Sequence, residues 1–82
     1  MRRLGVVGIV IENRERQAPK VNEILTSYGD IIVGRLGLPY RERGVSVIAL
    51  IVDGSNDRIG ALTGKLGMIE GVKVRYALSK ER

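Results

Sequence analysis

The 82-residue chain contains no cysteine and no histidine. The first absence rules out a disulfide framework and any thiolate metal site. The second removes the commonest transition-metal ligand and the commonest general acid or base near neutral pH. Only carboxylates and carbonyls remain as metal ligands, and the nearest acidic grouping, Asp53 with Asp57, reads as a turn followed by a helix start. Neither a metal nor a cofactor is expected. Aromatic residues are scarce, three tyrosines in all. No apolar run approaches the roughly 20 residues that a membrane-spanning helix needs. Arg2 and Arg3 precede an apolar run, but Glu12 and Asn13 end it early and no small-residue cleavage site follows. The run therefore reads as a strand and not as a secretion signal. The compartment expected is the cytoplasm.

Charge is plentiful. Fourteen basic residues outnumber nine acidic ones, for a formal net charge of +5. A basic balance suits anionic partners. The acids are interspersed with the bases and no block of like charge forms, which is the pattern of a solvated, salt-bridged surface.

The length predicts one domain over residues 1–82. A chain this short buries a limited core and gains from self-association. "LGVVGIVI", residues 4–11, is rich in β-branched residues and reads as a buried strand. "ENRERQ" follows as a polar loop. Pro19 suits the first turn of a helix, along which Ala18, Val21, Leu25 and Tyr28 recur at helical spacing, and Gly29 ends it. "IIVGRLGL", residues 31–38, is a second strand weakened by two glycines and closed by Pro39. "VSVIALIV", residues 45–52, is the third and most apolar strand. Ser55 or Asn56 can cap a second helix whose core stripe is Ile59, Leu62 and Leu66. "VKVRYAL", residues 72–78, alternates like a half-buried strand.

The order β-α-β-β-α-β predicts an α+β ferredoxin-like sandwich: an antiparallel four-stranded sheet, order 4-1-3-2, with two helices on one face. Strands 1 and 3, the most continuously apolar, belong at the centre. Strands 2 and 4 carry the charges and glycines of edges.

This topology sends "ENRERQ", "PYRERG" (residues 39–44) and "GMIEG" (residues 67–71) to one end of the domain. Arg14, Arg16, Arg41 and Arg43 then converge beside the N–H groups of the first helix. Guanidinium forks bind carboxylates and phosphates bidentately, so the cluster is a candidate anion site. Pairing with Glu12, Glu15 and Glu42 in a surface ion network is the competing account.

Both alternating sets of strand 3, Val45/Val47/Ala49/Ile51 and Ser46/Ile48/Leu50/Val52, are mostly apolar, and so are those of strand 1. Helices cover only one face, so a partner subunit is expected on the other. Ile48 and Ala49 are candidate interface residues, one on each face. Gly60 and Gly64 lie four apart on the second helix, where close packing of another backbone, on the chain's own sheet or across an interface, offsets their low helix propensity.

"YGDIIVGR", "PYRERG" and "GALTGKLG", within residues 21–67, closely resemble the iron-only hydrogenase system regulators. That family is similar in fold to ACT-type sensor domains and to the C-terminal domain of the nickel-responsive repressor. The resemblance implies self-association, as a dimer or tetramer, and a non-catalytic regulatory role. It implies as partners a small anionic ligand or a protein of the hydrogenase system. By analogy with ACT-type domains it points to Glu12, Asn13 and Arg14. Nickel sensing does not carry over, because it needs histidine and cysteine. Two other readings share the topology. An acylphosphatase-type enzyme holds phosphate with an arginine after strand 1, but its glycine-rich loop is missing here. A nucleic-acid binder stacks bases on aromatics of strands 1 and 3, and neither strand has one; a DNA-binding regulator acting through a basic surface remains the variant to weigh.

Overall fold

A computed structural model describes residues 2–80. Strand β1 (Arg3–Ile11) leads to helix α1 (Arg14–Ser27), and a short 3-10 turn (Gly29–Ile31) leads into β2 (Ile32–Tyr40). A second 3-10 turn (Arg41–Arg43) joins β2 to β3 (Val45–Gly54), followed by α2 (Asn56–Gly67) and β4 (Val72–Leu78). The four strands form one antiparallel sheet in the order β2-β3-β1-β4, the ferredoxin-like arrangement expected, read from the other edge.

Period-2 alternation assigns the faces. Val7, Ile9 and Ile11 of β1, with Ile48, Leu50 and Val52 of β3, point under the helices and are buried. They meet Val21 and Leu25 of α1 and Ile59, Leu62 and Leu66 of α2 in one core. Burying each such side chain stabilises the fold by about 1.5–3 kcal/mol. α1 lies over β1 and β3, and α2 packs mainly on β4. β2 is the strand left least covered, and most of its side chains are exposed.

Helix 1 starts earlier than the sequence suggested. Pro19 is inside the helix, and Arg14 and Arg16 belong to its first turn instead of a loop. The cause is Asn13, which takes a left-handed conformation (φ 52°, ψ 59°) and turns the chain off β1. Its carbonyl accepts from the N–H groups of both Arg16 and Gln17 at 3.1 Å. Proline in the second turn forgoes one bond to the Glu15 carbonyl, which lies on the exposed side of the helix. The buried stripe accordingly begins at Gln17, with Ala18 only half-buried.

β2 also runs further than expected, through Pro39 to Tyr40. Proline is tolerated there because β2 is an edge strand. A bulge between Ile32 and Gly34 shifts the register against β3. Ser55 caps α2 as expected, its hydroxyl accepting from the Arg58 N–H at 3.2 Å.

Candidate functional site

Three connections meet at the end of the sheet where β1 finishes, and backbone hydrogen bonds stitch them together. The Arg14 N–H donates to the Gly44 carbonyl at 3.2 Å, tying the first turn of α1 to the tip of the β2–β3 hairpin. The Glu12 N–H donates to the Gly71 carbonyl at 2.8 Å, tying the β1–α1 connection to the α2–β4 one. Gly44 and Gly71 both have positive φ, 65° and 80°, the left-handed region that favours glycine.

Between the first two connections lies an open cleft of about 620 Å³ lined by Asn13, Arg14, Glu15, Arg41, Arg43 and Gly44. Of the six residues singled out from the sequence, Asn13, Arg14, Arg41 and Arg43 line it. Glu12 and Arg16 flank it, both exposed. Glu15 and Gly44 are lining residues that sequence reasoning did not select. Gly44 was legible as part of "PYRERG". Glu15 becomes visible only once α1 is known to begin at Arg14.

The competing ion network does not form. Among the described residues, the salt bridges join Arg2 to Asp53 and Arg58 to Asp30, and none involves Arg14, Arg16, Arg41 or Arg43. Three guanidinium groups therefore face the cleft without a carboxylate partner within 4 Å. The first turn of α1 adds to this positive end. Asn13 makes no side-chain cap, and the Glu15 N–H has no hydrogen-bond partner among the described residues. Chemically, the arrangement can hold an anion by charge-assisted hydrogen bonds. Among the described residues, no group of three or more Asp or Glu comes together as a metal site.

The second candidate surface is the sheet face opposite the helices. Across it, Val6 stands beside Ile51 and Val10 beside Val47, while Leu36 and Leu38 stand beside Ala49 and Val47. Leu36, Leu38 and Val6 are 71%, 61% and 48% exposed. Of the two β3 residues suggested for an interface, only Ala49 is on this face. Ile48 is buried in the core at 6% exposure, because it points beneath the helices. Gly60 and Gly64 lie on the exposed side of α2, along a groove beside β4. A Cβ added at either position meets nothing within 4 Å, so neither glycine is required for packing on the chain's own sheet. Among the described residues, no helix is long and apolar enough to cross a membrane.

Comparison with known proteins gives a consistent result. The model of the TM1266-like family, "Iron-only hydrogenase system regulator, putative", matches residues 3–76. The structure of TM1266 from Thermotoga maritima is 41% identical, covers 98% of this chain and 100% of its own, and superposes with a TM-score of 0.93. More distant likenesses share the fold alone. A formyltetrahydrofolate deformylase from Pseudomonas putida KT2440 matches at 10% identity and a TM-score of 0.63, over 89% of this chain and 28% of that one. CPII, a nitrogen regulatory PII-like protein from Thiomonas intermedia K12, matches at 13% identity and a TM-score of 0.52, over 96% and 95% of the two chains. CPII has also been solved bound to ADP, AMP and bicarbonate. No match was found among the curated proteins.

Proposed function

The chain belongs to the iron-only hydrogenase system regulators, and from that membership we propose that it is a non-catalytic, homo-oligomeric sensor module that binds a small anionic ligand at the end of the sheet where Arg14, Arg41 and Arg43 meet. One observation carries this reading: three arginines from two distant segments are held on one cleft by a direct backbone bond, and among the described residues none of them is in an ion pair with a carboxylate within 4 Å, although Glu15 also lines the cleft. Surface pairs of this kind are worth only about 0–1 kcal/mol when they do form, so stability alone gives no reason to gather the cations there. The PII-like CPII binds ADP, AMP and bicarbonate on the same fold. That supports an anionic effector as a ligand class without identifying it.

The oligomer is proposed to form through the helix-free face, as a dimer or a higher assembly of dimers. Exposed apolar faces of this extent are uncommon on monomers. The setting proposed is the cytoplasm, with the chain acting as one domain. A hydrogenase-system protein with an acidic surface is the alternative occupant of the arginine cleft.

Titration calorimetry with pyrophosphate and bicarbonate tests the site. The double variant Arg41→Ala/Arg43→Ala is expected to keep its melting temperature within a few degrees and to lose anion binding at least tenfold. If the double variant binds both anions as the unaltered chain does, the cluster is only a charged turn. Acyl-phosphate hydrolysis by the purified chain would instead favour an enzyme.

A further inference from the structure

β2 is the part of the sheet that α1, lying over β1 and β3, leaves least covered. Arg14, Ala18 and Asn22, one stripe of α1 at four-residue spacing, line a gap opposite the helix-side positions of β2, which are Arg35, Gly37 and Pro39. Three residues around the middle of this gap, Ala18, Gly37 and Ser46, are too small to fill it. A cleft of about 200 Å³ remains, with Ile11 and Ile48 beneath it. The cleft is open to solvent on its β2 side, where Gly37, Leu38 and Pro39 are exposed.

A second observation points to a ligand. Ser46 is only 8% exposed and lines this cleft, yet no hydrogen bond joins its hydroxyl to another described residue. Its neighbours across the ladders are Ile11 and Pro39, and proline has no N–H to offer. Its hydroxyl oxygen is still reached by solvent through the cleft, since among the described residues the buried side-chain polar atom left without a partner is Gln17 Oε1, so a ligand in the cleft can reach the Ser46 hydroxyl. Ser46 stands level with Ile11, and so at the Arg14 end of the cleft. Arg14 lines both this cleft and the larger arginine-lined one, so the two lie against the same side chain. The far end is closed by Arg35, whose Nη2 already donates to Asn22 Oδ1 at 2.7 Å.

We propose that the two clefts form one site and that its ligand is a small amphipathic acid. The carboxylate is held by Arg14, Arg41 and Arg43 with a hydrogen bond from Ser46, and a short apolar chain lies along Ala18, Gly37 and Ile48. This rests on the anion-site reading above and adds the chemical class of the ligand. A compact inorganic anion uses only the arginine end. The apolar floor below Ser46 distinguishes an acid with a hydrocarbon tail. The joined clefts together reach the size of small-molecule pockets, about 300–1,000 Å³.

The test is calorimetric titration of the full chain with acetate, butanoate, hexanoate and inorganic phosphate. Affinity is expected to rise about fourfold for each methylene buried, from acetate to hexanoate. Gly37→Val fills the tail region. A Cβ at Gly37 meets only Ile48 Cγ1, at 3.9 Å, and valine suits a strand, so the variant is expected to fold. It should erase the chain-length gain while leaving acetate and phosphate binding unchanged; Gly37→Ala, which adds less bulk, should reduce the gain. Ser46→Ala should weaken every carboxylate several-fold. If phosphate binds but hexanoate binds no better than acetate, the arginine site stands and the amphipathic ligand does not. If the chain-length gain survives Gly37→Val, the tail lies elsewhere and the inference is wrong. If neither phosphate nor any carboxylate binds, both readings fall.

Discussion

Arg58 closes two hydrogen bonds on Asp30, at 2.8 and 2.9 Å, while its guanidinium lies 5.0 Å from the centre of the Tyr28 ring. The ammonium of Lys65 lies 5.1 Å from the same ring. Two side chains of α2 thus hold the turn that follows α1, at the opposite end of the sheet from the arginine cleft. Tyr28 is buried beneath them, at 7% exposure.

The pH dependence of this clamp follows from Asp30. The hydrogen bond from Arg58 holds its carboxyl below the ordinary carboxylate value of about 4. A group with a lowered folded-state pKa adds stability above its unfolded pKa, and that stability is lost as pH falls through the folded value. The unaltered chain should therefore melt higher than Asp30→Asn at pH 7, with the gap closing below about pH 4. Both partners are substantially exposed, so the gap should be small and should shrink in salt. A gap that stays constant down to pH 2 would show that the carboxylate charge contributes nothing.

Neighbouring residues of β3 should respond oppositely to charge. Ile48 is in the core, where truncation to alanine alone costs about 2–5 kcal/mol. Ile48→Asp adds a buried charge and should leave no folded protein. Ala49 lies on the helix-free face between Leu36 and Gly8, so Ala49→Asp should fold and dissociate the assembly. Sedimentation velocity reads both outcomes. An unaltered chain that sediments as a monomer at high micromolar concentration refutes the proposed face-to-face assembly.

This contrast was legible in the sequence, because the alternation in "VSVIALIV" assigns each β3 residue to a face without further information. The end at which the arginines gather was also legible, since it follows from strand order alone. The start of α1 was not. Asn13 is among the favoured N-cap residues, but Pro19 five residues after Arg14 looked like a first-turn proline, and the left-handed turn at Asn13 has no periodic signature. The bond from Arg14 to Gly44 and the gap among Ala18, Gly37 and Ser46 bring residues of α1 against residues of the β2–β3 hairpin that are far from them in sequence. Packing creates them, and no local pattern announces packing.

Gln17 should be replaceable with profit. It sits in the first turns of α1 at 7% exposure, and its Oε1 is buried with no hydrogen-bond partner among the described residues. An unsatisfied buried acceptor costs roughly 1–3 kcal/mol. Gln17→Met keeps the length and shape of the side chain and removes that acceptor. Urea denaturation should show a gain of about 1 kcal/mol. A loss of stability instead would mean that the amide is satisfied in solution by water.

Gly60 and Gly64 give the sharpest test of a second contact between subunits. Both are in the interior of α2, where glycine costs about 1 kcal/mol against alanine. In the isolated chain nothing offsets that cost, because an added methyl meets open space at each position. We propose that the backbone of a second subunit approaches there, along the groove beside β4 that Tyr76 also lines. A Gly60→Ala/Gly64→Ala variant should then form a smaller assembly than the unaltered chain, by light scattering at matched concentration. If the face is free, the same variant should gain about 1–2 kcal/mol from helix propensity alone, with no change in assembly size. The two outcomes differ in sign for stability at a fixed protein concentration, because weakened association lowers the melting temperature that mass action supports. A higher melting temperature with unchanged mass removes α2 from the interface and leaves the helix-free sheet face as the proposed contact.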